Sequence, residues 1–249
     1  MDTPEPVNIT VIDHGRTLSG AIAGVLWRPE YLVDEIRRLA LELRMRHPTL
    51  RSLLIIGPSG GEGASTVASL YAAVLADMSG GAIGLVDANL RAPSLHKVFG
   101  ISAAPGIREW DATQPHRGLH TVGRSRLSVM PAGHGGSTLL QVFNQSGRLD
   151  ALGECMRRSF EMVVWDAPPQ TLYPDATLLL PHIDGVLIVA EADATRTDVL
   201  CQVSEQLAMV GARVVGVVLN RTGRYFAGAR PPQRGRARRS VALLGGPTD

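Results

Sequence analysis

Cysteine is nearly absent. Cys155 and Cys201 are the only two in 249 residues, and they form neither a CxxC pair nor part of a metal-ligand cluster. That excludes a disulfide framework, a zinc site and an iron–sulfur carrier, and it makes a reducing cytoplasm the expected compartment. Aromatic residues are also scarce, at 4% against 45% hydrophobic residues in all, so the core is expected to be aliphatic. No uncharged apolar run reaches the about 18 residues that crossing a bilayer requires. The apolar piece Leu18 to Leu26 has roughly half that length and no basic stretch before it, so a secretory signal is not expected either. Net charge is small, at +2, but unevenly spread. Residues 221–249 hold seven arginines against Asp249 alone, a balance of +6 that leaves −4 for the rest.

What is present is an alternation. Residues 1–28 lack sustained periodicity and are expected to form an irregular arm. Pro29 can open a helix, where its missing N–H costs nothing, and Leu32, Ile36, Leu39 and Leu43 then share one face before Pro48. "SLLIIG", "AIGLVD", "LSVMPAG", "EMVVWD", "DGVLIVAEA" and "RVVGVVLN" read as strands. Between them lie a helix from Ser65 closed by Gly80-Gly81, one over about 146–159, and one with Val199, Val203, Leu207 and Val210 on a side. Apolar strands alternating with amphipathic helices imply a three-layer α/β/α fold around a mainly parallel sheet, spanning residues 29–222. Ligands of such sheets bind beyond the carboxyl ends of the strands. From about residue 223 to 249 the pattern stops, and a Gly-, Pro- and Arg-rich tail is expected.

The stretch Gly57 to Thr66 reads GPSGGEGAST, between a strand and a helix. Such a loop aims backbone N–H groups and the positive end of a helix dipole at an anion. Gly60, Gly61 and Gly63 can take the positive φ angles that fold these groups into a nest. Ser65 stands where a hydroxyl would ligand Mg²⁺, with Thr66 beside it. Ala64, however, stands where the Walker A pattern puts lysine. The missing lysine normally neutralises charge on the transferring phosphoryl group.

Downstream, "GLVDANLRAPSLHKVFG", "MVVWDAPP" and "GARVVGVVLNR" follow in an order and spacing that resemble the bacterial tyrosine kinases of capsule and exopolysaccharide systems, a branch of the MinD/ParA-type P-loop ATPases. The resemblance runs from about residue 35 to 221. It implies a P-loop NTPase fold, ATP or ADP with Mg²⁺ as ligand, and roles for particular residues. Asp87 and Asp166 would be the catalytic and metal-holding carboxylates, with Ser65 as a further metal ligand. Gly60, Gly61, Glu62, Gly63, Ala64, Ser65, Thr66 and Arg91 would surround the nucleotide phosphates, and Asn220 and Arg221 would reach the base. Each aspartate has a plainer reading, as the cap of the turn after its strand. The resemblance also implies a partner: the cytoplasmic end of a membrane polysaccharide co-polymerase, or chain-length regulator.

Four positions depart from that pattern. Ala64 replaces the phosphate lysine, and Asn89 replaces the second acidic residue of the Asp-x-Asp-x-Arg motif. Leu41 ends the Glu-x-x-Arg-x-x-Arg helix motif begun by Glu35 and Arg38, which serves assembly into a homo-oligomer. Tyr225 is the only tyrosine of a tail that carries a cluster of them in active members. These losses touch phosphate clamping, metal support, assembly and substrate. They favour a regulatory subunit with weak or no catalysis. Two alternatives stand beside it: an active autophosphorylating kinase or ATPase that recruits Lys97 or Arg91, and a MinD/ParA-type positioning ATPase, for which Ser59 and Ala64 occupy both lysine places. The arginine-rich tail is either solvated or drawn to an anionic membrane surface. No recognition helix or stacking platform accompanies it, so sequence-specific nucleic-acid binding is not expected.

Overall fold

A strand covered on both faces needs apolar residues at odd and even positions alike. The computed structural model describes residues 9–12, 30–136, 138–143, 147–171 and 173–222. Among them are eight strands: β1 (Ile9–Ile12), β2 (Ser52–Ile56), β3 (Ile83–Asp87), β4 (His120–Thr121), β5 (Leu127–Met130), β6 (Met162–Asp166), β7 (Gly185–Glu191) and β8 (Val214–Asn220). They form one sheet in the order β1-β8-β7-β2-β6-β3-β5-β4. Every pairing is parallel except the antiparallel β4–β5 edge. The central strands β2, β3 and β6 are buried at every position.

The helices are α1 (Glu30–Arg46), α2 (Ala64–Met78), α3 (Leu95–Phe99), α4 (Leu139–Val142), α5 (Arg148–Ser159) and α6 (Thr197–Met209), with 3₁₀ turns at Ile107–Glu109 and Pro174–His182. Alternate side chains of the central strands feed opposite layers. Leu53 and Ile55 join α1, α2 and α3 on one face; Leu54 and Ile56 join α5, α6 and the longer 3₁₀ turn on the other. On α1 the stripe Leu32, Ile36, Leu39 and Leu43 is at most 4% exposed, each side chain contributing about 1.5–3 kcal/mol of burial. Trp165, pointing into the second layer, donates its indole N–H to the Ser52 hydroxyl at 3.0 Å, so its polar atom is paired. The three-layer expectation is met.

Four local readings differ or lie beyond reach. Within the segment expected to be an irregular arm, Ile9–Ile12 forms an edge strand parallel to Val217–Asn220; four residues are too few to show a period. Helix α2 stops before Gly80-Gly81: Ser79 turns extended at φ −87°, ψ 151°, its N–H donating to the Leu75 carbonyl at 2.8 Å. Val210 lies past the end of α6 and is 50% exposed, so the buried stripe there ends at Leu207. Pro29, the rest of the arm and the tail from residue 223 lie outside the described residues.

Candidate functional site

The carboxyl ends of β2, β3, β6 and β8 gather the motif residues at one edge. The loop between β2 and α2 carries three left-handed glycines, Gly60 (φ 98°), Gly61 (φ 95°) and Gly63 (φ 91°), a conformation that a Cβ would resist. Gly63 precedes α2, so the helix begins at Ala64 with Ser65 and Thr66 in its first turn. The segment after β6 is stitched to the loop: the N–H of Gln170 donates to the Gly57 carbonyl at 3.2 Å, and the Thr171 hydroxyl to that of Pro58 at 2.7 Å. Between them lies a cavity of about 170 Å³ lined by Gly57, by the loop from Gly60 to Ser65 and by Asn89, Ala167 and Pro169. A larger cavity, about 410 Å³, sits at the amino ends of β2 and β6, away from these residues.

Asp87 and Asp166 are register partners on the paired strands β3 and β6, which places their backbones about 4.8 Å apart. Both are completely buried. Asp87 Oδ2 accepts the N–H groups of Ser94 at 3.1 Å and Leu95 at 3.0 Å, capping α3, while its Oδ1 has no partner. Neither oxygen of Asp166 has a well-formed hydrogen bond among the described residues, although the Ser65 hydroxyl lies near enough to act on the carboxylate. Of the seven buried side-chain polar atoms without a hydrogen bond among the described residues, five belong to Asp87, Ser94, Asp166 and Gln170. Native interiors leave few such atoms unmatched, so their concentration here marks where a ligand belongs.

Burial raises the Asp87 carboxyl to about 6, against the pull of the N–H groups of Leu95, Ser94 and Asn89 and the charge of Arg108. Burial, and then the neighbouring Asp87 charge, raise Asp166 well above the usual carboxylate range, with the Ser65 hydroxyl opposing. Two carboxylates so placed share a proton unless a cation joins them. The donor set suits Mg²⁺, which takes one or two carboxylates and completes its shell with water and phosphate oxygens. Asp87, Asp166 and Ser65 would hold it.

The cations expected at the phosphates are held elsewhere. Arg91 donates Nε–H to Asp175 Oδ2 at 2.6 Å and lies 3.9 Å over the Tyr173 ring. Arg221, itself at φ 60°, pairs with Glu191 at 2.6 Å. Lys97, the only lysine of the chain, is exposed on α3. Among the described residues, the wall of the loop cavity holds no lysine or arginine. Asn220 is fully buried and faces the loop, its Nδ2–H donating to the Glu62 carbonyl at 2.6 Å.

Thus the loop glycines, Glu62, Ala64, Ser65, Asp87, Asp166 and Asn220 come together, Thr66 stands in the same first turn of α2, and Arg91 and Arg221 are held aside by acids. Sequence reasoning missed Asp175 and Tyr173 as the holders of Arg91, because that pairing is long-range. It also missed what the Glu62 side chain does, although an acid inside a glycine-rich anion nest was a visible signal.

These features define a P-loop NTPase. A model of the ParA family, described as NUBPL iron-transfer P-loop NTPase, matches residues 50–228, and the chain belongs to that family. Within it, the relatives are bacterial tyrosine kinases with a ParA/MinD-type domain. The succinoglycan biosynthesis transport protein ExoP of Rhizobium meliloti (strain 1021) is 29% identical over 191 residues, 74% of this chain but only 24% of its own length. The tyrosine-protein kinase YwqD of Bacillus subtilis (strain 168) is 24% identical over 173 residues, 69% of this chain and 72% of its own. The kinase domain of the Escherichia coli tyrosine kinase ETK superposes with a TM-score of 0.69 at 19% identity, covering 98% of this chain and all of that one. That likeness speaks for the fold.

Proposed function

We propose that this chain is a kinase-derived regulatory subunit of exopolysaccharide or capsular polysaccharide assembly, which holds Mg²⁺ and nucleotide weakly and scarcely transfers phosphoryl groups. The observation that carries this reading is Ala64: a phosphate loop whose cavity wall, among the described residues, offers no cation. The loop's N–H groups and the α2 dipole can still orient a diphosphate. Asp87, Asp166 and Ser65 can hold a divalent ion against it, which supplies charge neutralisation when bound. Nothing at position 64 meets the charge that builds on the outer phosphoryl oxygens. A preorganised donor of that kind contributes about 2.7–4 kcal/mol, or about 100- to 1000-fold in rate.

The test is radiolabel transfer from ATP to tyrosine, comparing the wild type with Ala64→Lys. The expected result is a wild-type rate at most about one hundredth of the variant's. A wild type as fast as the variant would sink the reading. The retained pair of buried carboxylates, with three of their four oxygens unmatched among the described residues, favours a second reading, an active kinase or ATPase in which Arg91 leaves Asp175 to serve the phosphates. Hydrolysis by the wild type that Asp87→Ala and Arg91→Ala both abolish would establish it. For the regulatory reading, the partner is the cytoplasmic end of a membrane polysaccharide co-polymerase. ExoP, named for succinoglycan transport, supports that choice of system. Unchanged polymer length after deletion of this chain would count against it.

A further inference from the structure

The anion nest of the loop already contains an anion, and it is the loop's own. Glu62 is only 5% exposed. Its Oε1 accepts the N–H of Ser59 at 2.7 Å and that of Gly60 at 3.0 Å, and its Oε2 accepts the Gly60 N–H at 2.8 Å. The carboxylate has folded back across the turn, and the room for it comes from Gly57: a Cβ there would collide with Glu62 Oε2. The residue's backbone is pinned in turn, because the buried Asn220 donates Nδ2–H to the Glu62 carbonyl at 2.6 Å. The flanking Gly61 and Gly63, both left-handed, set the chain direction that lets the side chain return onto its own loop.

We propose that Glu62 is an autoinhibitory ligand of the phosphate loop: its carboxylate occupies N–H donors offered to phosphate, so a phosphoryl group enters only by displacing it. This rests on the nucleotide-derived reading of the site given above. Charge-assisted hydrogen bonds to a carboxylate are about twice as strong as neutral ones, and a second anion brought beside the first is repelled at short range. In a loop with lysine, an incoming phosphoryl group would gain a cation that the carboxylate leaves unused. With Ala64 that gain is missing and the internal ligand keeps the nest. Glu62 therefore sets the affinity of the loop for any phosphate-bearing ligand, independently of the lost lysine.

The experiment is calorimetric titration with Mg·ADP of the whole chain as wild type, Glu62→Gln, Glu62→Ala, Ala64→Lys and the Glu62→Gln/Ala64→Lys double variant. Thermal melts verify that each is folded. Glu62→Gln removes the charge and keeps the shape; Glu62→Ala empties the nest. Both are expected to bind about tenfold or more tightly than the wild type, and the gain is expected to recur in the lysine background. The backbone amide resonances of Ser59 and Gly60 are expected to move in Glu62→Ala, and to move in the wild type as Mg·ADP displaces the carboxylate. If Ala64→Lys binds Mg·ADP while both Glu62 variants bind no better than the wild type, the autoinhibitory contact is refuted and the nucleotide site stands. If neither Ala64→Lys nor the double variant binds Mg·ADP, the nucleotide reading falls, and this proposal with it.

Discussion

Asp166 is where burial and charge conflict most directly. A carboxyl whose folded-state pKa exceeds its unfolded value binds its proton more tightly in the folded chain. Its favourable contribution is complete below the unfolded pKa and is lost as pH rises through the folded one. For Asp87 that window runs from the ordinary value of 3.8 to about 6. Asp166, pushed higher by burial and by Asp87, extends the loss above that range. The protein without divalent ions is therefore expected to melt at a lower temperature at pH 8 than at pH 5. Millimolar Mg²⁺ is expected to restore much of the difference at pH 8. Asp166→Asn keeps the shape and removes one charge, so it is expected to raise the melting temperature at pH 8, flatten the pH profile and abolish the Mg²⁺ response. Scanning fluorimetry reads all three, and an Asp166→Asn protein destabilised equally at both pH values would contradict the account. Ala64 was legible as a missing cation from sequence alone. The acid at Glu62 was visible in the loop as well, but what its side chain does was not, because only the folded turn shows the carboxylate doubling back onto Ser59 and Gly60.

Among elements, α1 separates what a sequence states from what it conceals. Its buried stripe follows directly from the spacing of Leu32, Ile36, Leu39 and Leu43, and the central strands follow from runs that are apolar at every position. Ile36→Ala, at a fully buried position, is expected to cost about 2–5 kcal/mol. Leu41→Ala, at a position 51% exposed on the opposite face, is expected to fall within about 0.5 kcal/mol of the wild type. Urea denaturation measures both, and equal losses would mean that α1 does not pack as described. The same helix shows Leu41 and Met45 exposed near the Arg38–Glu35 ion pair, a face that sequence could place but not assign a partner. The edges of the sheet were less readable for a physical reason. The two residues of β4 and the four of β1 carry no period, and their pairing is fixed by neighbours, β5 and β8, through contacts that no local pattern announces. The tie of Arg91 to Asp175 was hidden likewise. Each residue looks like an ordinary surface charge until the turn after β6 brings Tyr173 and Asp175 against it.

Over the whole chain the charge is divided. Residues 224–249 contain six of the arginines and a single acid, Asp249, while the remainder of the chain is close to neutral or mildly acidic. The surface of an anionic leaflet attracts basic residues by about 1 kcal/mol each when they come near it, and the attraction fades within a Debye length. No helix among the described residues is long and apolar enough to cross a membrane. Contact through the arginines would be electrostatic and therefore sensitive to salt. Deleting residues 224–249 is expected to lower co-sedimentation with vesicles rich in phosphatidylserine. Vesicles of neutral lipid are expected to bind the full chain and the truncated one equally poorly. Raising the salt from 0.05 to 0.5 M (about a threefold shorter screening length) is expected to release the full chain from the anionic vesicles. The proposed nucleotide site draws on residues 57–220, so Mg·ADP affinity is expected to be the same in both proteins, separating any contribution of residues 224–249 to vesicle binding from the chemistry of the loop. Equal binding of the two proteins to anionic vesicles at low salt would leave the membrane partner as the sole means of recruitment, with the arginines serving solubility.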